Sequence, residues 1–380
     1  MNSQPLTRHA YVNNPSELFI AWQEANRGDK KMRARDAAEF LGVSECELVA
    51  CQVGTDEPPA VTRLEGEWVE MLKRVGSLGR VMALTRNHAV VHERKGCYKD
   101  VSATGPMGLA IGDDIDLRLF FSQWRHGYAL VETDGATIKR SLQFFDAAGE
   151  AVHKIFLQPE SDVDEFDMLV EQFRAANQTA GERVLSKPPC VAVAPDSEID
   201  VDGMRAAWDR MRDTHEFFGL LKKYGVARTQ ALRLADPEYV TRVATSATKQ
   251  MLEHAAASGA AIMCFVGNHG CIQIHTGPVA NIKVMGPWLN VLDPDFNLHL
   301  REDLVHELWI VKKPTSEGIV TSLEVFDRDG LQIAQFFGKR KPGLPEREDW
   351  REIVEHLPRL DSVAYVVPTG ASIDEKQVAA

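Results

Sequence analysis

The chain has 380 residues, enough for two or three domains, and its 44% hydrophobic content supports packed cores rather than global disorder. A formal net charge of -12 argues against a general nucleic-acid or anionic-membrane surface, and a small basic pocket would stand out against it. The six cysteines form no C-x-x-C, no apolar run reaches about 18 residues, and Met1 to Pro5 is polar with no secretory core, which together read as a reduced, cytoplasmic chain without a transmembrane helix.

Residues 1 to 15 are polar and read as frayed. Glu17 to Asn26 predicts a short amphipathic helix carrying Leu18, Ala21 and Trp22. Residues 34 to 50 predict two short helices joined at Gly42, a helix-turn-helix pattern that raises DNA binding as a second class of function. Its second helix carries Glu45 and Glu47 and no cation, which is poor for phosphate contacts. Residues 64 to 76 predict a further helix with Trp68, Met71 and Leu72 on one face.

After Gly76 the texture changes. Val81 to Thr85, Ala89 to His92, Leu117 to Phe121, Tyr128 to Val131 and Ser141 to Phe145 are short and rich in β-branched or aromatic residues. Turn signals at Asn87-His88, Gly112-Asp113, Asp134-Gly135 and Ala148-Gly149 separate them, predicting an antiparallel meander. Residues 163 to 177 return to helix. The stretch around Lys187-Pro188-Pro189 and Ala194-Pro195 predicts a Pro-rich linker over 186–200, between an N-terminal repeat (1–185) and a C-terminal repeat (201–380).

The repeats rest on one offset. Shifted by 181, Met82 meets Met263, Asn87-His88 meets Asn268-His269, Ser141-Leu142 meets Ser322-Leu323, Gly149 meets Gly330 and Phe156 meets Phe337. The fold class expected is therefore α+β, a tandem duplication in which each half has N-terminal helices, a large antiparallel sheet and a trailing helix. The halves differ where chemistry is expected. At the shift of 183 that aligns Gly42 with Gly225, His215 falls opposite Met32, and at 181 Arg118 falls opposite His299, which favours one composite site over two equivalent ones.

In the second half, Met204, Ala207, Trp208 and Met211 recur at helical spacing and His215 continues the row, which predicts a histidine on an apolar helix face. Lys222, Lys223 and Gly225 close that helix, and Arg228 opens another. Such a histidine is either a core residue satisfied by a carbonyl or a neutral imidazole aimed into an apolar cleft, suited to a transition metal or haem iron. Arg118 interrupts the apolar run Leu117 to Phe121 and shares a strand face with Asp116 and Phe120. It is either an outward arginine paired with Asp116 or a cation presented to a ligand. It has no lone pair for a metal and would act by hydrogen bonding. His88 with His92, and His269 with His275, could each share a strand face, but nothing completes a convincing metal set. There is no P-loop, dinucleotide fingerprint or nucleophile elbow.

Several of these segments, taken together, resemble a known family. Asp213-Thr214-His215-Glu216-Phe217-Phe218, Phe265-Val266-Gly267-Asn268-His269-Gly270, Trp288-Leu289-Asn290, Lys313-Pro314-Thr315-Ser316 and Gln332-Ile333-Ala334-Gln335 occur in one order, with Asp116-Leu117-Arg118-Leu119-Phe120 in the first half. The chain resembles the cytoplasmic haem-utilisation proteins of Gram-negative bacteria, the HemS/HmuS/ChuS/PhuS group. The resemblance implies one haem b (iron protoporphyrin IX) held between the halves. His215 would be its axial ligand and Arg118 would lie on the opposite face. Arg228, Lys313 and Arg340 would meet the propionates, with Gln335 and Phe337 in the same contact set. Phe337 stands where relatives carry a tyrosine, so a phenolic hydrogen bond is missing.

It also implies a protein, monomeric or dimeric, that receives imported haem and traffics it, degrades it to release iron, or both. Its partners would be a haem oxygenase or an inner-membrane haem importer. If haem is degraded, Arg118 and His215 are the catalytic candidates and the reductant is external, since no flavin or nicotinamide motif is present. The runner-up is a haem-responsive DNA-binding regulator.

Overall fold

A computed structural model describes residues 14–27, 32–54, 60–135, 137–187, 191–340, 343–360 and 372–373. Most of the stretch expected to fray, residues 1 to 13, lies outside the described residues, as do Pro188, Pro189 and Cys190 of the expected linker. Pro15 already opens a helix, with Asn14 Oδ1 accepting the Glu17 N–H at 3.3 Å.

The first repeat runs α1 (Pro15–Ala25), α2 (Ala34–Leu41), α3 (Glu45–Ala50), β1 (Ala60–Leu64) and α4 (Trp68–Val75). Its meander is β2 (Val81–Arg86), β3 (Val90–Gly96), β4 (Val101–Thr104), β5 (Met107–Ile111), β6 (Asp116–Phe120), β7 (His126–Asp134), β8 (Thr137–Phe145) and β9 (Ala151–Leu157), closed by α5 (Val163–Gln172). The second repeat runs β10 (Val191–Ala192), α6 (Val201–Asp209), α7 (Glu216–Tyr224), α8 (Arg228–Leu234), β11 (Val240–Val243) and α9 (Ala247–Ser258). There follow β12 (Ile262–Gly267), β13 (Cys271–Gly277), β14 (Ile282–Met285), β15 (Trp288–Leu292), β16 (Phe296–Arg301), β17 (Glu307–Thr315), β18 (Gly318–Phe326) and β19 (Gln332–Gly338), then α10 (Glu348–Glu355) and β20 (Ser372–Ile373).

The α+β class and the duplication hold. The bounds of β2 to β5 and of β7 to β9 fall on those of β12 to β15 and β17 to β19 at the offset of 181, residue for residue. Two expectations change: the helix expected over 64–76 begins only at Trp68, after a strand at Ala60–Leu64, and the helix expected over 163–177 ends at Gln172.

The described residues form two compact units, one within Met1–Thr85 and Lys95–Pro188, the other within Arg86–Arg94 and Pro189–Ala380. In the first, strands follow the order β1-β7-β8-β9-β2, with β6-β5-β4 as a separate run. In the second they follow β11-β17-β18-β19-β12-β13 and β3-β16-β15-β14. The start of β3, although first-repeat sequence, thus belongs to the second unit, pairing His92 with Leu298. Asn87 anchors this crossing. Its Nδ2 donates to the Gly267 and Ile333 carbonyls at 3.1 and 2.8 Å, while its Oδ1 accepts from Ala89 N and Val90 N.

The second unit's larger sheet is buried on both faces, following the two-residue period of its strands. Leu308, Ile310, Leu323 and Phe336 pack with Met251 of α9 and Trp350 of α10. Val311 and Phe326 pack on the other face, with Trp208 of α6 and Phe217 of α7. The functional candidates of this unit lie on that second face.

Candidate functional site

Glu324 organises the site, and sequence reading did not single it out. It sits on β18, fully buried, and alternation turns it toward α7 and α8. Arg228, the first residue of α8, donates to both its oxygens, from Nε at 2.7 Å and from a terminal nitrogen at 2.9 Å. Lys313 Nζ reaches Glu324 Oε1 at 2.8 Å, and Gln335 Nε2 reaches it at 2.9 Å. Two cations around one carboxylate leave one net positive charge. Burial works against the charge on Glu324, but Arg228 and Lys313 outweigh it and hold the carboxyl far below the usual range. Burial pushes the Lys313 ammonium down to about 8, with Arg228 adding to the shift and Glu324 opposing it. The ring of Phe217 lies beneath both cations, 5.0 Å from the Arg228 guanidinium carbon and 4.6 Å from Lys313 Nζ.

The structure therefore brings Arg228, Lys313 and Gln335 together, and neither cation is a solvated surface charge. Arg228 is placed by Gly225, whose left-handed backbone (φ 59) ends α7 and turns the chain into α8. The remaining signal available from sequence was the spacing of Lys313, Glu324 and Gln335 on the same face of three adjacent strands. It becomes visible only once the register is known.

His215 is corrected. It does not continue the α6 helix face: α6 ends at Asp209, and His215 precedes α7 with its side chain 92% exposed. Asp213 causes the break. Its carboxylate accepts the His215 backbone N–H at 2.8 Å and His215 Nδ1–H at 2.6 Å, a local turn that competes with helix. These two bonds hold the Asp213 carboxyl below its ordinary range, with the Arg340 charge contributing. The ring is thus fixed through Nδ1, and Nε2 has no partner among the described residues. Arg340 reaches Glu317 at 3.3 Å, and its buried Nε lacks a partner among the described residues. Phe337, half-buried on the Glu324 face of the sheet, meets Phe265 edge-on with centroids 5.2 Å apart.

Arg118 lies in the first unit, on β6, and pairs with Asp116 as alternation predicts. Its register partner is Leu109, so it shares a face with Met107, Leu109 and Ile111, which are 49%, 36% and 47% exposed. An arginine within an exposed apolar strip suits a flat, mostly apolar ligand with a polar centre.

Helix α3 is buried along its length, so it cannot serve as the recognition helix of a DNA reader. His88 pairs with Asp327 at 3.0 Å, and the described residues hold no group of three metal-donor side chains. Cys46, Cys51, Cys264 and Cys271 are buried thiols without disulfides. No described helix is long and apolar enough to cross a membrane.

A family model described as the haemin-degrading HemS.ChuX domain matches the chain twice, over residues 42–173 and 225–357. The chain belongs to this family. It is similar to the hemin transport protein HmuS of Yersinia pestis, 38% identical over 352 residues that make up 92% of this chain and 99% of the relative. Among solved structures it is similar to holo-PhuS, a heme-binding protein from Pseudomonas aeruginosa, with 49% identity, 91% and 99% of the two chains covered, and a TM-score of 0.88. It is also similar to ChuS, an E. coli heme oxygenase, with 34% identity, 90% and 99% covered, and a TM-score of 0.80.

Proposed function

We propose that this chain is a cytoplasmic haem-binding protein that receives imported haem and hands it on or degrades it. The observation that carries this reading is the cationic platform of the second unit, where Arg228 and Lys313 lie over Phe217 with Gln335 and Phe337 on the same sheet face. Haem needs an axial donor, an apolar surface and cations for two carboxylates. The residues fit that demand. His215 offers Nε2 while Asp213 holds its tautomer, a carboxylate–histidine pairing that orients imidazole ligands. Arg228 keeps one terminal nitrogen and Lys313 keeps N–H donors beyond those used by Glu324, and Arg340 has a buried Nε to satisfy. Arg118, in its apolar strip, is a further candidate to contact haem.

Haem iron supplies the redox chemistry if degradation occurs, and the electrons come from an external donor. The chain's own residues bind the propionates, fix the imidazole and present the Arg118 guanidinium. Similarity to both a transport protein and a heme oxygenase supports a carrier with degrading capacity. The partners proposed are an inner-membrane importer or a haem oxygenase. Titration of the apo-protein with haemin, followed at the Soret band, is expected to saturate at about one haem per chain. Saturation at two equivalent haems would overturn the asymmetric reading.

A further inference from the structure

The first unit holds a second polar cluster that the haem reading does not use. Beside the β1–β7 pair lies an open cleft of about 550 Å³. One carboxylate oxygen organises it. Glu182 Oε2 lies 3.2 Å from His126 Nδ1, accepts the Tyr128 hydroxyl at 2.7 Å and pairs with Arg63. Arg63 also donates to the Thr179 and Gly181 carbonyls at 3.0 and 2.6 Å, tying the segment after α5 to the sheet. These bonds fix the His126 ring through Nδ1. Its Nε2 has no partner among the described residues, and His126 lines the cleft.

The rim of the cleft carries Arg125 and Arg183. Both are exposed, and neither forms an ion pair among the described residues. Glu65, also on the rim, already accepts the Ala176 N–H at 3.1 Å. Two exposed arginines and an imidazole fixed through Nδ1 therefore line one opening, in a chain of net charge -12. Arginine forks match carboxylate and phosphate oxygens in pairs. The arrangement is not a copy of anything in the second unit. At the offset of 181, Arg125, His126 and Tyr128 meet His306, Glu307 and Trp309, and Glu307 faces Arg242 at 3.7 Å. A carboxylate there replaces the imidazole.

We propose that this first-unit cleft binds a small anion bearing carboxylate or phosphate groups, gripped by Arg125 and Arg183 with His126 beside them in its lining. The test is calorimetric titration of the full chain with inorganic phosphate and, separately, with citrate, at ionic strength held constant with sodium chloride. Saturable binding of at least one anion is expected, weakened tenfold or more in Arg125→Ser/Arg183→Ser. Phosphate binding alone marks a phosphoryl ligand, and citrate binding alone marks a carboxylate. A Lys/Lys double variant, which keeps the charge but not the fork, is expected to bind with intermediate strength. Both arginines are exposed, so the anion-free melting temperature of the Ser/Ser variant is expected to match wild type, and so is its haemin titration. No saturable binding of either anion, equal binding by wild type and the Ser/Ser variant, or loss of haemin binding in that variant would each overturn a separate anion site.

Discussion

Glu324 accepts hydrogen bonds from Arg228, Lys313, Gln332, Gln335 and Ser322, and so fixes the cations that sequence reading picked out singly. Because burial depresses Lys313 to about 8, its charge is lost within an accessible range. As pH rises from 7 to 9 the ammonium deprotonates and the platform loses its net positive charge. Haemin dissociation is expected to accelerate over that range in wild type, but not in Lys313→Met. An unchanged pH step in the variant would assign the titration elsewhere. His215 is exposed and contributes little to the core, so His215→Ala is expected to fold normally. It should shift the ferric Soret band and speed haem loss at least tenfold. A wild-type spectrum and off-rate would mean that another residue is the axial donor. The helical spacing of Met204 to His215 was misleading because a short-range Asp213 turn ends the helix, and periodicity does not register that competition.

At the scale of elements, the β5–β6 pair places Arg118 opposite Leu109 in an exposed apolar strip. If the chain only carries haem, Arg118→Ala is expected to weaken binding by about 1.5–3 kcal/mol, the usual worth of a hydrogen bond to a charged group. If it degrades haem, the same change is expected to slow Soret decay under ascorbate and oxygen more than it weakens binding, because the group then acts mainly in the transition state. Equal decay rates in Arg118→Ala and wild type would remove it from catalysis, and Arg118→Lys separates charge from geometry. The alternation that gives Arg118 its face was legible in five residues. Strands β1 and β11 were not, since each is a short edge strand placed by its pairing with β7 or β17, which lie far along the chain.

Within the two units, three buried histidines couple folding to pH. His153 is held between Thr85 and Tyr98 at 2.8 and 2.5 Å, and burial lowers it to about 3. His275 stacks on Phe296 at 3.8 Å and is lowered to about 4, by burial first and then by Arg94, with Asp293 opposing. His92 is lowered too, again chiefly by burial, and neither its nitrogens nor those of His275 find a hydrogen-bond partner among the described residues. A histidine kept neutral in the fold contributes stability that is fully present above the unfolded value of 6.5. That contribution is lost as pH falls toward the folded value. The urea midpoint is therefore expected to fall between pH 7 and pH 5, and to fall less in His92→Leu/His275→Leu. Equal losses in the two proteins would exclude these rings as the cause.

Sequence alone determined the duplication, because one offset is a property of residue order and strand alternation follows from residue type. It also brought Arg228 and Lys313 forward as candidates through the family resemblance, with Arg228 following a helix-ending glycine and Lys313 lying in an apolar strand. Only the tertiary structure decided that Arg86 to Arg94 join the second unit, that His215 stands exposed at a turn, and that Glu324 gathers Arg228, Lys313 and Gln335. Each of these depends on strand register or on a local turn outcompeting a helix, and neither is encoded in the period of a pattern.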